Sequence, residues 1–419
     1  MKPPRPVYVA GGAHTPFIGK FHPDFIWKKH PDFGKRENPG LEQYFRLVTD
    51  AVFADLGIDP GVIDRAVVGN FVGELFSSQG HLGSMLVAAV PGLKYKPSHR
   101  VEGACASGGL AIQSGLDMIA AGADIVLVVG AEVQTTFNAK DGADFLARAA
   151  HYEKERPIDP FTFPCLFARR MKAYFEKNGG EPGDVAPIVV KAYENAAKNP
   201  NAHMREVGMK LETAQAASDK NPNFLENEEY NPFLKISDCS QVSDGASCAI
   251  LATAQGLEKM GRSPSDCSQI VASGHAAGPL GDVSDLTDMD VSRHAVQQAY
   301  SSAGWSASDV QVAEVHDCFS ITEALMYEAL GLCERGDGVR YGADGNTTLT
   351  GKVPVNTGGG LMAFGHPVGA TGVKQVVEIH RQLHGLCGDY QIGGSPTRGA
   401  TVNMGGDDRT SVVTLIEKA

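Results

Sequence analysis

The chain alternates strand-like and helix-like stretches, and part of that alternation occurs twice. Val7–Ala10, Arg65–Gly69, Ile125–Gly130 and Ala246–Ala254 read as buried strands, and Leu41–Leu56 and Ala106–Ala121 as helices. Such an order predicts an α/β architecture. Ala51–Asn70 runs from a helix end through Gly57 and a polar loop into Ala66-Val67-Val68. Gln298–Asp317 repeats it through Gly304 into Val312-Ala313-Glu314-Val315. Gly109–Gly122 has a counterpart in Gly372–Gly385: a glycine, one helix, a glycine. Both pairs lie about 250 residues apart, as two copies of one unit would. Any α/β chain gives some matches of this kind, so a duplication is an expectation. If it holds, the helix starts near Cys105 and His366 are equivalent, and a pseudo-twofold axis would bring them to one site.

The expected organisation is an N-terminal half of residues 1–136 and 232–265, an inserted subdomain of 137–231, and a C-terminal half of 266–419. The insertion carries its own amphipathic stretches, Phe167–Asn178 and Ile188–Asn199, so it reads as a folded unit rather than a linker. Its densest basic cluster is Arg169, Arg170 and Lys172, which read on pattern alone is a solvated helix face. Phe21–Pro39, rich in His, Lys, Asp and Pro, reads as a surface loop.

At 419 residues the chain is too long for one small core. Apolar residues make up 42% and charged ones 21%, an ordinary soluble balance. A net charge of -12 argues against nucleic acid and anionic membranes as main partners. No apolar run reaches the length of a membrane span. The eight cysteines include no C-x-x-C pair and no zinc-ligand spacing, so neither a metal site nor a disulfide scaffold is expected. The chain runs from Met1-Lys2-Pro3 into a strand without a signal-peptide pattern and ends on Glu417-Lys418-Ala419, not a peroxisomal signal. The expected compartment is the cytoplasm.

Cys105 stands in Gly103-Ala104-Cys105-Ala106-Ser107-Gly108, directly before a helical pattern. A thiol there meets the positive end of a helix dipole, which favours thiolate. Most free cysteines are instead buried and inert, so its partners decide. Three further stretches carry chemistry. They are His316-Asp317-Cys318-Phe319 at a strand end, Asn356-Thr357-Gly358-Gly359-Gly360 leading to Gly365-His366-Pro367-Val368-Gly369-Ala370-Thr371-Gly372, and Asn403-Met404-Gly405-Gly406 before the last strand, Ser411–Ile416. A placed thiol and a placed imidazole are the minimum for acyl transfer through a thioester.

With these stretches, and with His14-Thr15-Pro16-Phe17 and Ser243-Asp244-Gly245-Ala246, nearly the whole chain resembles the thiolase superfamily. The GHPVGATG run is the most specific element, and HDCF narrows the likeness to the sterol-carrier-protein type, here without the separate sterol-carrier domain. The resemblance implies two βαβαβαββ halves in a five-layer α-β-α-β-α sandwich with an inserted loop subdomain. It implies CoA-dependent cleavage of 3-ketoacyl-CoA to acyl-CoA and acetyl-CoA, or the reverse condensation, with CoA as substrate and no cofactor. Cys105 would be the nucleophile and His366 its base. His316 and His366 would hold one oxyanion, and the N–H groups of Cys105 and Gly405 the other. Asn403 occupies the place of the second catalytic cysteine of ordinary thiolases, so Cys318 inherits that proton-shuttling role; the alternative is a shuttle through His316 or water. Asn403 itself reads as a structural group bonding loop backbone, and Asp317 as an orienting one. Arg169, Arg170 and Lys172 are assigned to the CoA phosphates.

His14 stands where arginine is usual, and Phe21–Pro39 has no counterpart in the common pattern. Expected partners are acyl-CoA and CoA, a second copy in a homodimer or tetramer, and a small OB-fold protein. Two alternatives share the fold: a decarboxylating condensing enzyme using acyl carrier protein, and an acyl-CoA-binding protein that has lost turnover.

Overall fold

The computed structural model describes residues 1–419. Its N-terminal half comprises β1 (Val7–His14), α1 (Leu41–Leu56), β2 (Arg65–Gly69), α2 (Leu82–Ala89), β3 (Ser98–Val101), α3 (Ser107–Ala120) and β4 (Ile125–Glu132). After β4 come α4 (Thr162–Asn178) and α5 (Ala186–Ala196) of the insertion, and then β5 (Gly245–Ala252) completes the half. The C-terminal half comprises β6 (Ser268–Ala277), α6 (Asp290–Ala303), β7 (Val312–Val315), α7 (Ser320–Ala329), α8 (Thr371–Leu383), β8 (Arg398–Gly405) and β9 (Thr410–Lys418).

The repeated sequence pattern is a structural repeat. Outward from the centre the strands run β1-β5-β4-β2-β3 on one side and β6-β9-β8-β7 on the other. In each half the corresponding pairs agree in direction: β2 is parallel to β4 as β7 is to β8, and β4 is antiparallel to β5 as β8 is to β9. The partner of β3 in the second half is reduced to a parallel bridge between Ala313 and Val355. The two β layers are not separate sheets. β1 and β6 pair antiparallel, Val7 with Ile270 and Val9 with Ser268, and join them into one nine-stranded sheet.

Local chemistry explains the matched elements. α1 buries Leu41, Phe45, Val48 and Val52, one apolar face at helical spacing. It stops at Gly57 with φ 63°, and α6 stops at Gly304 with φ 71°, left-handed caps that glycine adopts without a Cβ penalty. β4 and β5 are buried throughout, as near-continuous apolar runs require.

Alternation along the strands sorts the core into layers. Ala66, Val68 and Val129 join Phe45 and Leu86 of α1 and α2. Val67 and Val128 face the other way and pack with Ile112 and Leu116 of α3 and Val373 and Val377 of α8, together with Ile416 from the opposite half. On the far face of the second half, α6 and α7 cover Val315, Val402 and Leu415. The helices α3 and α8 are thus the central layer. Their first turns touch backbone to backbone: a Cβ on Gly108 would lie 2.6 Å from the Gly372 nitrogen.

The insertion interrupts the N-terminal half in sequence but packs on the C-terminal half in space. Phe167 and Met171 of α4 and Ile188 and Ala192 of α5 share one apolar cluster with Leu325 of α7. Phe21–Pro39 is mostly exposed turns, as read, although His22 within it is buried. No helix is long and apolar enough to cross a membrane.

Candidate active site

The central helices bring distant residues together. Cys105 lies on a tight turn between β3 and α3. Ala104 there has φ 52°, a left-handed conformation that costs a non-glycine residue energy. The turn is held by Ser107, whose hydroxyl accepts the Gly103 N–H at 3.0 Å and donates to the Ala104 carbonyl at 2.6 Å. His316 follows β7, and His366 precedes α8 by five residues. One ligating atom from each of Cys105, His316 and His366 lies within 4.8 Å of the other two. The imidazole rings stand edge to face at 5.2 Å.

Hydrogen bonds assign the tautomers. Asn403 Oδ1 accepts the Gly109 N–H at 2.8 Å, so its Nδ2 is the donor, reaching the Cys105 carbonyl at 3.1 Å and His316 Nδ1 at 3.3 Å. The Met404 N–H points at the same Nδ1 at 3.4 Å. His316 Nδ1 is therefore an acceptor, and Nε2 carries the proton. For His366 the reverse holds. The Thr371 hydroxyl donates to the Pro367 carbonyl at 3.2 Å, so His366 Nδ1–H donates to that hydroxyl at 2.6 Å. His366 Nε2 keeps its lone pair. Neither Nε2 has a protein partner, although both are buried. The cluster thus presents one donor and one base to whatever enters.

Burial sets the protonation states. It drives His366 down to about 3 and His316 well below its usual value, with His366 adding to the second effect. It pushes Cys105 up to about 12, against a backbone N–H of Gly406 that favours thiolate. Loss of water thus opposes the thiolate that the helix end favours. Burial likewise favours the neutral form of the His366 imidazole. His366 also lies too far ahead of α8 for the helix end to govern it, since the dipole acts within the first turn.

Cys105, Cys318, His366 and Gly406 line one cavity of about 430 Å³. Cys318 is buried and close enough to Cys105 for Cys105 to raise its cost of ionising, but it stands outside the 4.8 Å cluster. Beside the expected Gly405, the Gly406 N–H points at the Cys105 sulfur. Gly406 lines the cavity, whereas a Cβ on Gly405 would lie 2.1 Å from the Gly103 carbonyl, so Gly405 is packed against backbone. Asp317 orients backbone: its carboxylate accepts the Leu361 N–H at 2.6 Å, ahead of the segment that carries His366.

The basic cluster divides. Arg170 is fully buried, paired with Asp407, and donates to the Leu286 and Asp288 carbonyls. It cannot reach a phosphate in solvent and is withdrawn as a CoA contact. Arg169 meets Asp407 at 3.3 Å and Lys172 meets Glu229 at 2.7 Å, and both keep some exposure.

Two residues at the end of β4 escaped the sequence reading. Glu132 accepts the Phe71 N–H at 2.9 Å, the Val72 N–H at 3.3 Å, the Asn70 amide at 2.9 Å and the Gly369 N–H at 3.1 Å. Burial pushes it up to about 7 despite those donors. Gln134 Oε1 accepts the Val368 N–H at 2.8 Å. Together they tie the His366-Pro367-Val368-Gly369 turn to the other half. The available signal was a glutamate closing the apolar run Ile125–Ala131, where a buried charge needs a purpose. A soft metal would find its donors in Cys105, His316 and His366, the same three groups.

Residues 34–255 match the family model described as "Thiolase, N-terminal domain", and residues 272–418 match "Thiolase C-terminal domain-like". The chain belongs to the thiolase family. This thiolase is 37% identical over 379 residues to an acetyl-CoA acetyltransferase of Methanothermobacter thermautotrophicus, covering 89% of this chain and 94% of the relative. It is 30% identical over 356 residues to sterol carrier protein 2 of Gallus gallus, covering 82% of this chain and 62% of that protein. Among solved structures it resembles the Ltp2-ChsH2(DUF35) aldolase, with TM-score 0.78, 21% identity, and coverage of 100% of this chain and 99% of that one. It also resembles human mitochondrial 3-ketoacyl-CoA thiolase in complex with CoA, with TM-score 0.72, 16% identity, and the same coverage. Those two likenesses concern the fold. The thiolase is an enzyme of the acyltransferase class.

Proposed function

We propose that this thiolase cleaves a 3-ketoacyl-CoA with CoA by a ping-pong mechanism, or runs the reverse condensation. The observation that carries the reading is the meeting of the Cys105 thiol with two imidazoles whose Nε2 atoms have no protein partner. In the cleavage direction, His366 Nε2 takes the Cys105 proton as the sulfur attacks the keto carbon. The alkoxide collapses, the carbon–carbon bond breaks, and its electron pair stays on the acetyl-CoA enolate. Cys318 protonates that enolate carbon. The acyl group remains on Cys105, with imidazolium at His366 and thiolate at Cys318. The thiolate then takes the proton of incoming CoA. CoA attacks the thioester, and Cys105 leaves and recovers its proton from His366. His316 Nε2–H is aimed to stabilise developing oxyanion charge; one such donor contributes about 2.7–4 kcal/mol in well-studied enzymes.

Purified protein mixed with acetoacetyl-CoA and CoA should release acetyl-CoA. Cys318→Ala should lose that turnover, while acetyl-CoA, whose leaving group is a thiolate rather than a carbanion, should still acetylate Cys105. Full thiolysis by the variant would remove Cys318 from the mechanism, and binding of acetoacetyl-CoA by the wild type with no acetyl-CoA released would assign the chain a binding role.

The CoA phosphates are proposed to reach Arg169 and Lys172, displacing their carboxylate partners. A cytoplasmic homodimer or tetramer and a small OB-fold partner are further proposals. One solved neighbour carries two component names, Ltp2 and ChsH2(DUF35), which supports looking for a second subunit. Light scattering of the purified chain, alone and with a candidate partner, tests both points.

A further inference from the structure

The cavity at Cys105 is far larger than an acetyl group needs. Its volume is about 430 Å³. An acetyl group fills on the order of three water volumes, at about 30 Å³ each. Some of the remaining space must take the pantetheine arm of CoA, and chemistry divides the walls between arm and acyl chain. The arm carries two amides, which need polar partners once out of water. Ser240 and Gln241 supply polar side chains on the segment 236–242, where Ile236 and Val242 are 40% and 46% exposed and mark the rim. The other wall consists of Phe71, Leu146, Ala149, Phe163 and Val368. These join Cys105 in one apolar cluster to which no residue of 236–242 belongs. Gln134, which also lines the cavity, spends its carbonyl on the Val368 N–H at 2.8 Å and keeps only its amide N–H for a ligand. An amide laid against these five apolar side chains would lose most of its hydrogen bonds, while an alkyl chain or aromatic ring would lose nothing.

Resting on the thiolase reading above, we infer that the preferred substrate carries a bulky apolar acyl group, seated against Phe71, Leu146, Phe163 and Val368, with the CoA arm along residues 239–242. Acetoacetyl-CoA then leaves the wall unfilled and is a poor member of its own class. Ala149 fits the same picture: a small side chain here widens the cavity beside the aromatic rings.

The test is a thiolysis series on the full-length wild-type protein with acetoacetyl-CoA, 3-ketooctanoyl-CoA and 3-keto-3-phenylpropionyl-CoA. The inference expects kcat/KM to rise by about tenfold or more from the first to the best of the other two, the scale set by filling an apolar pocket. It also expects Leu146→Trp to cut the ratio of bulky to short substrate by about tenfold, and Phe163→Ala to shift the optimum toward the larger substrate. The wild-type series stands alone if either variant fails to fold. Acetoacetyl-CoA as the best substrate, or a ratio that Leu146→Trp does not move, overturns the inference and leaves the thiolase reading intact. No acetyl-CoA release from any of the three substrates brings down both.

Discussion

In the N-terminal half the turn ahead of α3 is short and carries Cys105. In the C-terminal half the segment ahead of α8 is longer and carries His366, held at Nδ1 by Thr371. The two helices are equivalent in the fold and touch at their first turns. Their surroundings differ. The outer core of the first half is aliphatic and aromatic, with Phe45, Val48 and Leu86. Behind the second half lie two buried charge pairs, Lys374 with Glu314 at 2.6 Å and Lys191 with Glu323, and a buried hydrogen bond between His14 and Glu378 at 3.1 Å. His14, which replaces the usual arginine, is thus absorbed into a pair across the halves. One half supplies a nucleophile on a plain scaffold; the other supplies bases and donors on a scaffold whose charges must stay matched. Removing one member of a buried pair costs more than the pair contributes, because the other charge is left without a partner.

The largest expected effect follows from that contrast. Lys374→Met strands the Glu314 carboxylate two residues from His316, and should lower stability by about 3–5 kcal/mol and lower kcat with it. Leu86→Ala, in the first half, should cost a comparable 2–5 kcal/mol or so and leave kcat alone at temperatures where the variant is folded. Denaturant unfolding with steady-state kinetics on both variants checks the pair. Equal losses of kcat would erase the distinction between the halves.

Next comes the amide that spans them. Asn403→Ala removes one of the two donors that fix the His316 tautomer and frees the Gly109 N–H. The expected loss is about 10²-fold in kcat, with little change in KM. An unchanged kcat would mean that His316 needs no such orientation.

The smallest effect concerns acid. His380, outside the site, shares a hydrogen bond with Ser268 at 3.0 Å, and burial holds it near 3, against about 6.5 in the unfolded chain. Between those values the unfolded chain binds a proton that the folded chain does not. Stability is therefore complete above about pH 6.5 and declines as pH falls toward 3. His380→Gln should make the decline of Tm shallower by one proton's worth. A slope equal to the wild type would show that His380 titrates normally in the fold.

The repeat was legible because its marks are local: a glycine cap ending α1 and α6, and an apolar strand after each. Cys105, Cys318, His316 and His366 were legible because their motifs are long. Three features were not. The weak strand at Val355 keeps a single bridge and leaves no apolar run to read. Glu132 acts through backbone N–H groups of residues far off in sequence, and a carboxylate's partners leave no pattern of their own. The fate of Arg170 depended on Asp407, 237 positions away, which turned a basic cluster into one buried ion pair and two partly exposed cations.

The central claim is that Cys105 carries the acyl group and Cys318 handles the proton. Acid-quenched mass spectrometry of the Cys318→Ala protein after mixing with acetyl-CoA, which acylates Cys105 without leaving a carbanion to protonate, tests it most directly. The account predicts one acetyl group per chain, located on the Cys105 peptide and absent from Cys105→Ala. Acetyl on any other residue, or an unmodified Cys105 peptide under conditions where the wild type turns over, would contradict it.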